Sequence, residues 1–164
     1  MKHIVLTILT TGLLAGCANY TPNSSAAPTV SKTSAMQQTS YVSTYSFEET
    51  ETRLRAALDK RGLKLFTTVD HGQGAKSVGQ DISQNKLFIF GNPKSGTPLM
   101  VANREMGLEL PLKALIFTDA DGRVIVVTSD IAVIAARRGI ATTQSARIEK
   151  IGMTLRGIAT ETTQ

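Results

Sequence analysis

FIFGNPKSGTPLM, residues 88–100, is the stretch whose reading decides the fold. With Leu87 before it, Phe88, Ile89 and Phe90 form a short continuous apolar run, which by length and aromatic content suits a buried strand better than a helix. Gly91 ends that run. Thr97 followed by Pro98 reads as a helix start, because a Thr hydroxyl can accept from an orphan backbone N–H and Pro at the first helical position loses no needed donor. The spacing then predicts a helix through Leu99, Met100 and Val101 that stops near Gly107. Between strand and helix lies a loop rich in Gly and Pro.

A strand, a tight loop and a helix N-terminus in succession make a natural anion site, where unpaired N–H groups and the positive end of the helix dipole converge. Lys94 adds a cation. The loop begins like a nucleotide-binding P-loop, with Gly91, four residues and Gly96, and then departs from it. Thr97 stands where the phosphate-gripping Lys is required, and Pro93 and Pro98 remove two N–H groups. Nucleotide binding therefore has no motif support. The plain alternative is that Gly91, Pro93, Gly96 and Pro98 fix the shape of a turn.

The chain opens with a segment that belongs to export. Lys2 and His3 give a short basic start, residues 4–14 are an apolar run too short to span a bilayer, and Leu14-Ala15-Gly16-Cys17 comes next. This order resembles the signal and lipobox of bacterial lipoproteins. The resemblance implies cleavage before Cys17, a diacylglycerol thioether on its sulfur and acylation of its new amino group. Several acyl chains at ~0.8 kcal/mol per buried methylene would hold the chain on a bilayer permanently. Ala18 after the Cys favours, in that family, the outer membrane, with the domain facing the periplasm.

This start excludes two kinds of chemistry. Cys17 is the only Cys, so once acylated it leaves no thiol for a disulfide, a metal or a nucleophile. Cleavage also removes His3, leaving His71 as the single His, so a zinc site of the usual kind is not available. No metal and no cofactor is expected.

Residues 17–45 are dominated by Ser, Thr, Ala, Asn, Gln and Pro and read as a flexible tether. From Ser46 onward there is one domain's worth of chain, enough to bury a core without disulfides. The chain has 18 Lys and Arg against 13 Asp and Glu, but these are dispersed, aromatics are few and Trp is absent, so no nucleic-acid partner is expected.

Ser46 reads as an N-cap, with Glu49 completing a capping box, and Phe47, Leu54, Ala57 and Leu58 recur at helical spacing up to Gly62. Residues 63–69 suit a strand leading to Asp70 and His71, and residues 72–79 a short helix weakened by Gly. Residues 111–118 and 123–128 form a hairpin around Asp119-Ala120-Asp121-Gly122. The rest of a calcium loop is missing there. Asp130 caps a helix that ends at Gly139, and from Ser145 the residues Ile148, Ile151, Leu155 and Ile158 share one face, flanked by Arg147, Lys150 and Arg156. That last segment is expected to pack on the domain or on a second copy, with a membrane surface as the lesser use.

The helix at 47–62, the strand to Asp70-His71, the FGNPKSGTPLM block (residues 90–100), Leu110-Pro111-Leu112 and the hairpin together resemble the DUF302 family over residues 46–139. The resemblance implies an α+β fold like that of the TATA-box-binding protein, a curved antiparallel sheet with helices packed on one side, and a homodimer. It implies no established activity and no DNA binding. The chain then divides into a signal peptide (1–16), a lipidated Cys and tether (17–45), a DUF302-like domain (46–139) and an additional C-terminal helix (140–164).

Three functions remain open. The favoured one is a small, anionic ligand held at the central block, with Asn92 as orienting amide, Lys94 as charge, Ser95 and Thr97 as hydroxyls, and His71 joining them if the two regions meet in space. The others are an interaction module acting through a dimer face or the last helix, and an enzyme using His71 as acid or base.

Overall fold

The computed structural model describes residues 38–164, and the readings made on residues 1–37, Cys17 among them, lie outside it. The elements run β1 (Gln38–Val42), α1 (Phe47–Asp59), β2 (Lys64–Asp70), α2 (His71–Ser77), β3 (Asn85–Gly91), α3 (Pro93–Ala102), α4 (Met106–Glu109), β4 (Leu112–Thr118), β5 (Val124–Ser129), α5 (Ile131–Arg137) and α6 (Ser145–Thr163).

The five strands form one open sheet in the order β1-β5-β4-β3-β2, antiparallel at every junction. Strands β2 to β5 are a meander, each pairing with the next in sequence, while β1 occupies the far edge beside β5. Helix α1 therefore carries the chain across the sheet from one edge to the other. Its apolar stripe, Phe47, Leu54, Ala57 and Leu58, is buried together with Phe88 and Phe90 of β3 and Ile116 of β4. Burying a side chain of this size contributes roughly 1.5–3 kcal/mol. Alternation along β3 sends Phe88 and Phe90 to this face and Leu87 and Ile89 to the other.

Helix α6 packs against α1 and α5 and reaches β1 and β5. Ile148, Ile151, Leu155, Ile158 and Ala159 are buried on its inner side. Thr162 and Thr163 also turn inward, because each hydroxyl donates to the carbonyl four residues back, at 2.7 and 2.8 Å, so neither is buried unpaired. The segment expected to dock on the domain or on a second copy thus completes the core of its own domain. Among the described residues the buried apolar core falls between Phe47 and Ala159, inside the compact unit Thr33–Gln164, which holds the material of an independent fold.

Three boundaries differ from the sequence reading. Gln38–Val42, expected within a tether, is a strand, because β5 offers an unpaired edge whose ladder satisfies its backbone. The capping box at α1 is half made: Ser46 accepts from Glu49 N, but the Glu49 carboxylate turns outward to Arg53 at 3.0 Å. The helix expected to start at Thr97 starts at Pro93 and ends at Ala102, with α4 as a separate turn after it. Asn92-Pro93 and Thr97-Pro98 carry the same N-cap and N1 chemistry, and the earlier pair wins because Asn92 also ties to the turn at Gly62.

No helix among the described residues lies over the outer face of the sheet. Leu87, Leu115 and Val127 form one half-buried row, and Phe117, Ile125 and Val42 the next. Two cations lie at the end of this face: Lys113 turns its ammonium to the carbonyls of Glu109 and Pro111, and Lys64, paired with Gly91 on the edge strand, reaches over the Phe66 ring.

Candidate functional site

Strand β3 runs straight into α3 with Asn92 between them, so no loop exists at the central block. Asn92 Oδ1 accepts from Lys94 N at 2.9 Å, and its carbonyl accepts from Ser95 N and Gly96 N, each at 3.0 Å. Pro93 has no N–H to offer. The first-turn donors that were expected to cradle an anion are therefore consumed by Asn92 itself. Its Nδ2 donates to Gly62 O at 3.2 Å, where Gly62 adopts φ +61° to turn the chain from α1 into β2. Asn92 is a staple between α3 and that turn; its amide is spent on structure.

The side chains of the block look instead into a cleft of about 870 Å3 between the start of α3, the beginning of β2 and the flank of α6. Lys94, Ser95 and Thr97 stand on one side, and Arg147, Lys150 and Thr154 on the other. The spacing 147, 150, 154 puts the last three on one stripe of α6. Leu63, Phe66, Met100, Leu110, Ile151 and Leu155 form its apolar wall. Phe66 is there because β2 slips register between Leu65 and Thr67, taking it out of the strand alternation. Its ring lies across Gly91, with Cε2 3.6 Å from where a Cβ would stand.

Charge in the cleft is one-sided. Among the described residues that line it four are cationic, Arg61, Lys94, Arg147 and Lys150, and none is Asp or Glu. Arg61 is already engaged, donating to Glu161 at 2.7 and 3.0 Å and to Ala57 O at 2.9 Å. Its hydrogen bond holds the Glu161 carboxyl down to about 2, with Lys60 adding to the effect. Lys94, Arg147 and Lys150 make no side-chain hydrogen bond or ion pair among the described residues, and the Arg147 Nε is buried there with no partner. A buried donor left unpaired costs roughly 1–3 kcal/mol.

His71 does not meet this group. It is the exposed first residue of α2, and Asp70 before it is the N-cap, accepting from Gln73 N at 2.8 Å. Across the β2–β3 ladder Asp70 pairs with Lys86 and Lys64 with Gly91, so His71 and Asn92 lie at opposite ends. Six strand steps separate them by ~20 Å. A second cavity, about 640 Å3, opens near Asp70, but His71 lines neither. At this cavity Lys86 lies 2.8 Å from Glu51 and 3.8 Å from Asp70, and Arg55 also bonds Glu51. Burial pushes the Glu51 carboxyl up, yet the hydrogen bonds from Lys86 and Arg55 outweigh it and hold its pKa below the usual value. Asp119 and Asp121 of the hairpin turn are likewise bound to Arg123, at 2.8 and 2.9 Å. Among the described residues no three His, Cys, Asp or Glu groups converge as a metal would need.

The family pattern described as a domain of unknown function, DUF302, matches residues 39–158, from β1 into α6. The chain belongs to the DUF302 family. A solved structure, that of an uncharacterized conserved protein DUF302 from Bacillus stearothermophilus, superposes with a TM-score of 0.70 at 16% identity, covering 77% of this chain and 98% of that one. Its likeness bears out the α+β fold. Two relatives are described as fluoride-specific ion channel FluC 1, from Brucella suis biovar 1 (strain 1330) and Brucella abortus biovar 1 (strain 9-941). Each is 42% identical over 98 residues, 60% of this chain and 39% and 36% of the respective relative. The chain thus spans about two fifths of the length of the curated relatives it matches. No helix among the described residues of this DUF302 chain is long and apolar enough to cross a membrane.

Proposed function

We propose that this chain is a lipid-anchored envelope protein whose DUF302 domain binds a small anionic ligand in the cleft between α3 and α6. The observation that carries the reading is the convergence of Lys94, Arg147 and Lys150, unpaired among the described residues, in a cleft with no carboxylate. Cations so placed lower one another's stability until an anion arrives, and the apolar wall keeps the local dielectric low enough for that anion to be held firmly. The roles expected of Asn92 and His71 fall away. Lys94, Ser95 and Thr97 keep theirs, joined by α6.

The test is a thermal-shift titration of residues 33–164 with carboxylates, phosphate esters, inorganic phosphate and fluoride, the last because the channel relatives are named for it. A ligand at a hundred times its Kd adds ~2.7 kcal/mol, a shift of several degrees. Lys94→Ala and Lys150→Ala should abolish it while leaving the unliganded melt no lower than that of the wild type; no shift from any anion sinks the reading. The anchor is supported by the order of residues 1–17 and is tested apart: Cys17→Ser should lose labelled fatty acid and leave the membrane fraction.

A second reading, a homodimer, draws on the outer sheet face. Its two apolar rows carry no free charge, so two copies can meet there without like-charge repulsion. Sedimentation should then show a dimer that Phe117→Glu dissociates, whereas a monomeric wild type removes this reading.

A further inference from the structure

The composition of the cleft narrows the ligand further. Its wall is mostly apolar, with Phe66, Met100, Leu110, Ile151 and Leu155 facing the space. Phe66 is 45% exposed despite its size, and it is held in that position by two features of the backbone. The register slip between Leu65 and Thr67 turns it out of the strand, and Gly91 leaves the room its ring occupies. Water is a poor occupant for such a wall. An inorganic anion answers the cations but would fill a small part of about 870 Å3 and leave the wall wet. Polar ligands such as sugars or bare nucleotides would need acceptors and donors on the wall side, and the wall offers none.

Resting on the reading of this cleft as an anion site, we infer that its ligand is an amphipathic organic anion. The acidic head sits between Lys94, Arg147 and Lys150, the three cations that line the cleft without a partner among the described residues. The hydrocarbon body lies along Phe66, Met100 and Leu110. Arg147 gives the head direction, since a guanidinium meets a carboxylate or phosphate through a planar fork, whereas the two lysines act as point charges. The head chemistry is common to a free acid and to an anionic lipid headgroup.

The experiment titrates residues 33–164 calorimetrically with hexanoate, octanoate and decanoate below their micelle concentrations, and with decyl phosphate, decanol and inorganic phosphate. Vesicles of phosphatidylglycerol and of phosphatidylcholine are run in parallel. Affinity should rise about fourfold for each added methylene. Decanol should bind at least tenfold more weakly than decanoate, and Lys150→Gln should cost decanoate a similar factor. Phe66→Ala should flatten the dependence on chain length without removing the preference for charge. Both substitutions are at accessible side chains, and a cooperative melt no lower than the wild type's certifies each variant. Binding to the soluble acids assigns the ligand to a free amphiphile; binding to phosphatidylglycerol but not phosphatidylcholine vesicles assigns it to a lipid headgroup, and either supports the inference. Equal affinity for hexanoate, decanoate and inorganic phosphate overturns the amphiphile while leaving an anion site. Absence of binding by every anion overturns both.

Discussion

Gly72 and Gly74 lie two residues apart in α2, and replacing each by Ala should move stability in opposite directions. A Cβ at Gly72 would stand 2.6 Å from Ser83 O and 3.3 Å from Asn85 N, both backbone atoms. Ordinary contact begins at 3.4 Å, so the chain at Ser83 has to retreat by roughly 0.8 Å. It has little freedom to do so. Ser83 already adopts φ +58°, its N–H is held by Asp81 Oδ1 at 2.8 Å, and Asn85 is the first residue of β3. Overpacking of this kind costs ~1–3 kcal/mol, and a backbone obstacle places Gly72→Ala near the upper end. At Gly74 nothing lies within 4 Å, so Ala gains ~0.5–1 kcal/mol from reduced backbone entropy in the unfolded chain. At about 4 °C per kcal/mol for a domain of this size, the two variants should melt more than 10 °C apart on either side of the wild type. Urea unfolding tracked by circular dichroism checks the same gap as a difference in midpoint at constant slope. A Gly72→Ala variant as stable as the wild type refutes the packing argument.

Two other perturbations probe the supports of the site. Asn92→Ala removes both the cap on Lys94 N and the tie to Gly62 O and should cost ~1–2 kcal/mol; Asn92→Asp keeps the acceptor, loses the donor, and should lie between the two in urea midpoint. Glu161 has its pKa pressed from the ordinary 4.5 to about 2 by Arg61 and Lys60, so the stabilisation it brings is complete above pH 4.5 and lost as pH falls towards 2. The gap in Tm between wild type and Glu161→Gln should therefore shrink across that window, and a gap independent of pH contradicts the pairing.

Local signals in the sequence placed most elements well. The 47, 54, 57, 58 spacing, the N-caps Ser46 and Asp130, the run at 87–90 and the turn at Asp119 to Gly122 each report short-range chemistry, and each element formed where that chemistry said. The start of α3 was misplaced because Asn92-Pro93 and Thr97-Pro98 are locally equivalent. What separates them is the Gly62 carbonyl, thirty residues away in sequence. Strand β1 escaped notice for a related reason: Gln38-Thr39-Ser40-Tyr41-Val42 has little apolar pattern, and its order comes from the β5 edge.

The candidate site divides the same way. Lys94, Ser95 and Thr97 were legible in the sequence as the polar residues of a special turn, and Arg147 and Lys150 as cations flanking an apolar stripe. Nothing local says that these two sets face each other, that Phe66 turns out at a bulge to wall the space between them, or that His71 lies at the far end of the strand. Sequence by itself determined the helix faces and the kinds of residue available for chemistry, because periodicity and capping act within a few residues of chain, and it carried the motifs whose resemblance to the DUF302 family implied the α+β class. Only the tertiary structure decided which of those residues share a cleft, because that depends on how α6 packs on α1 and on the register of β2 against β3, contacts that join residues up to a hundred positions apart.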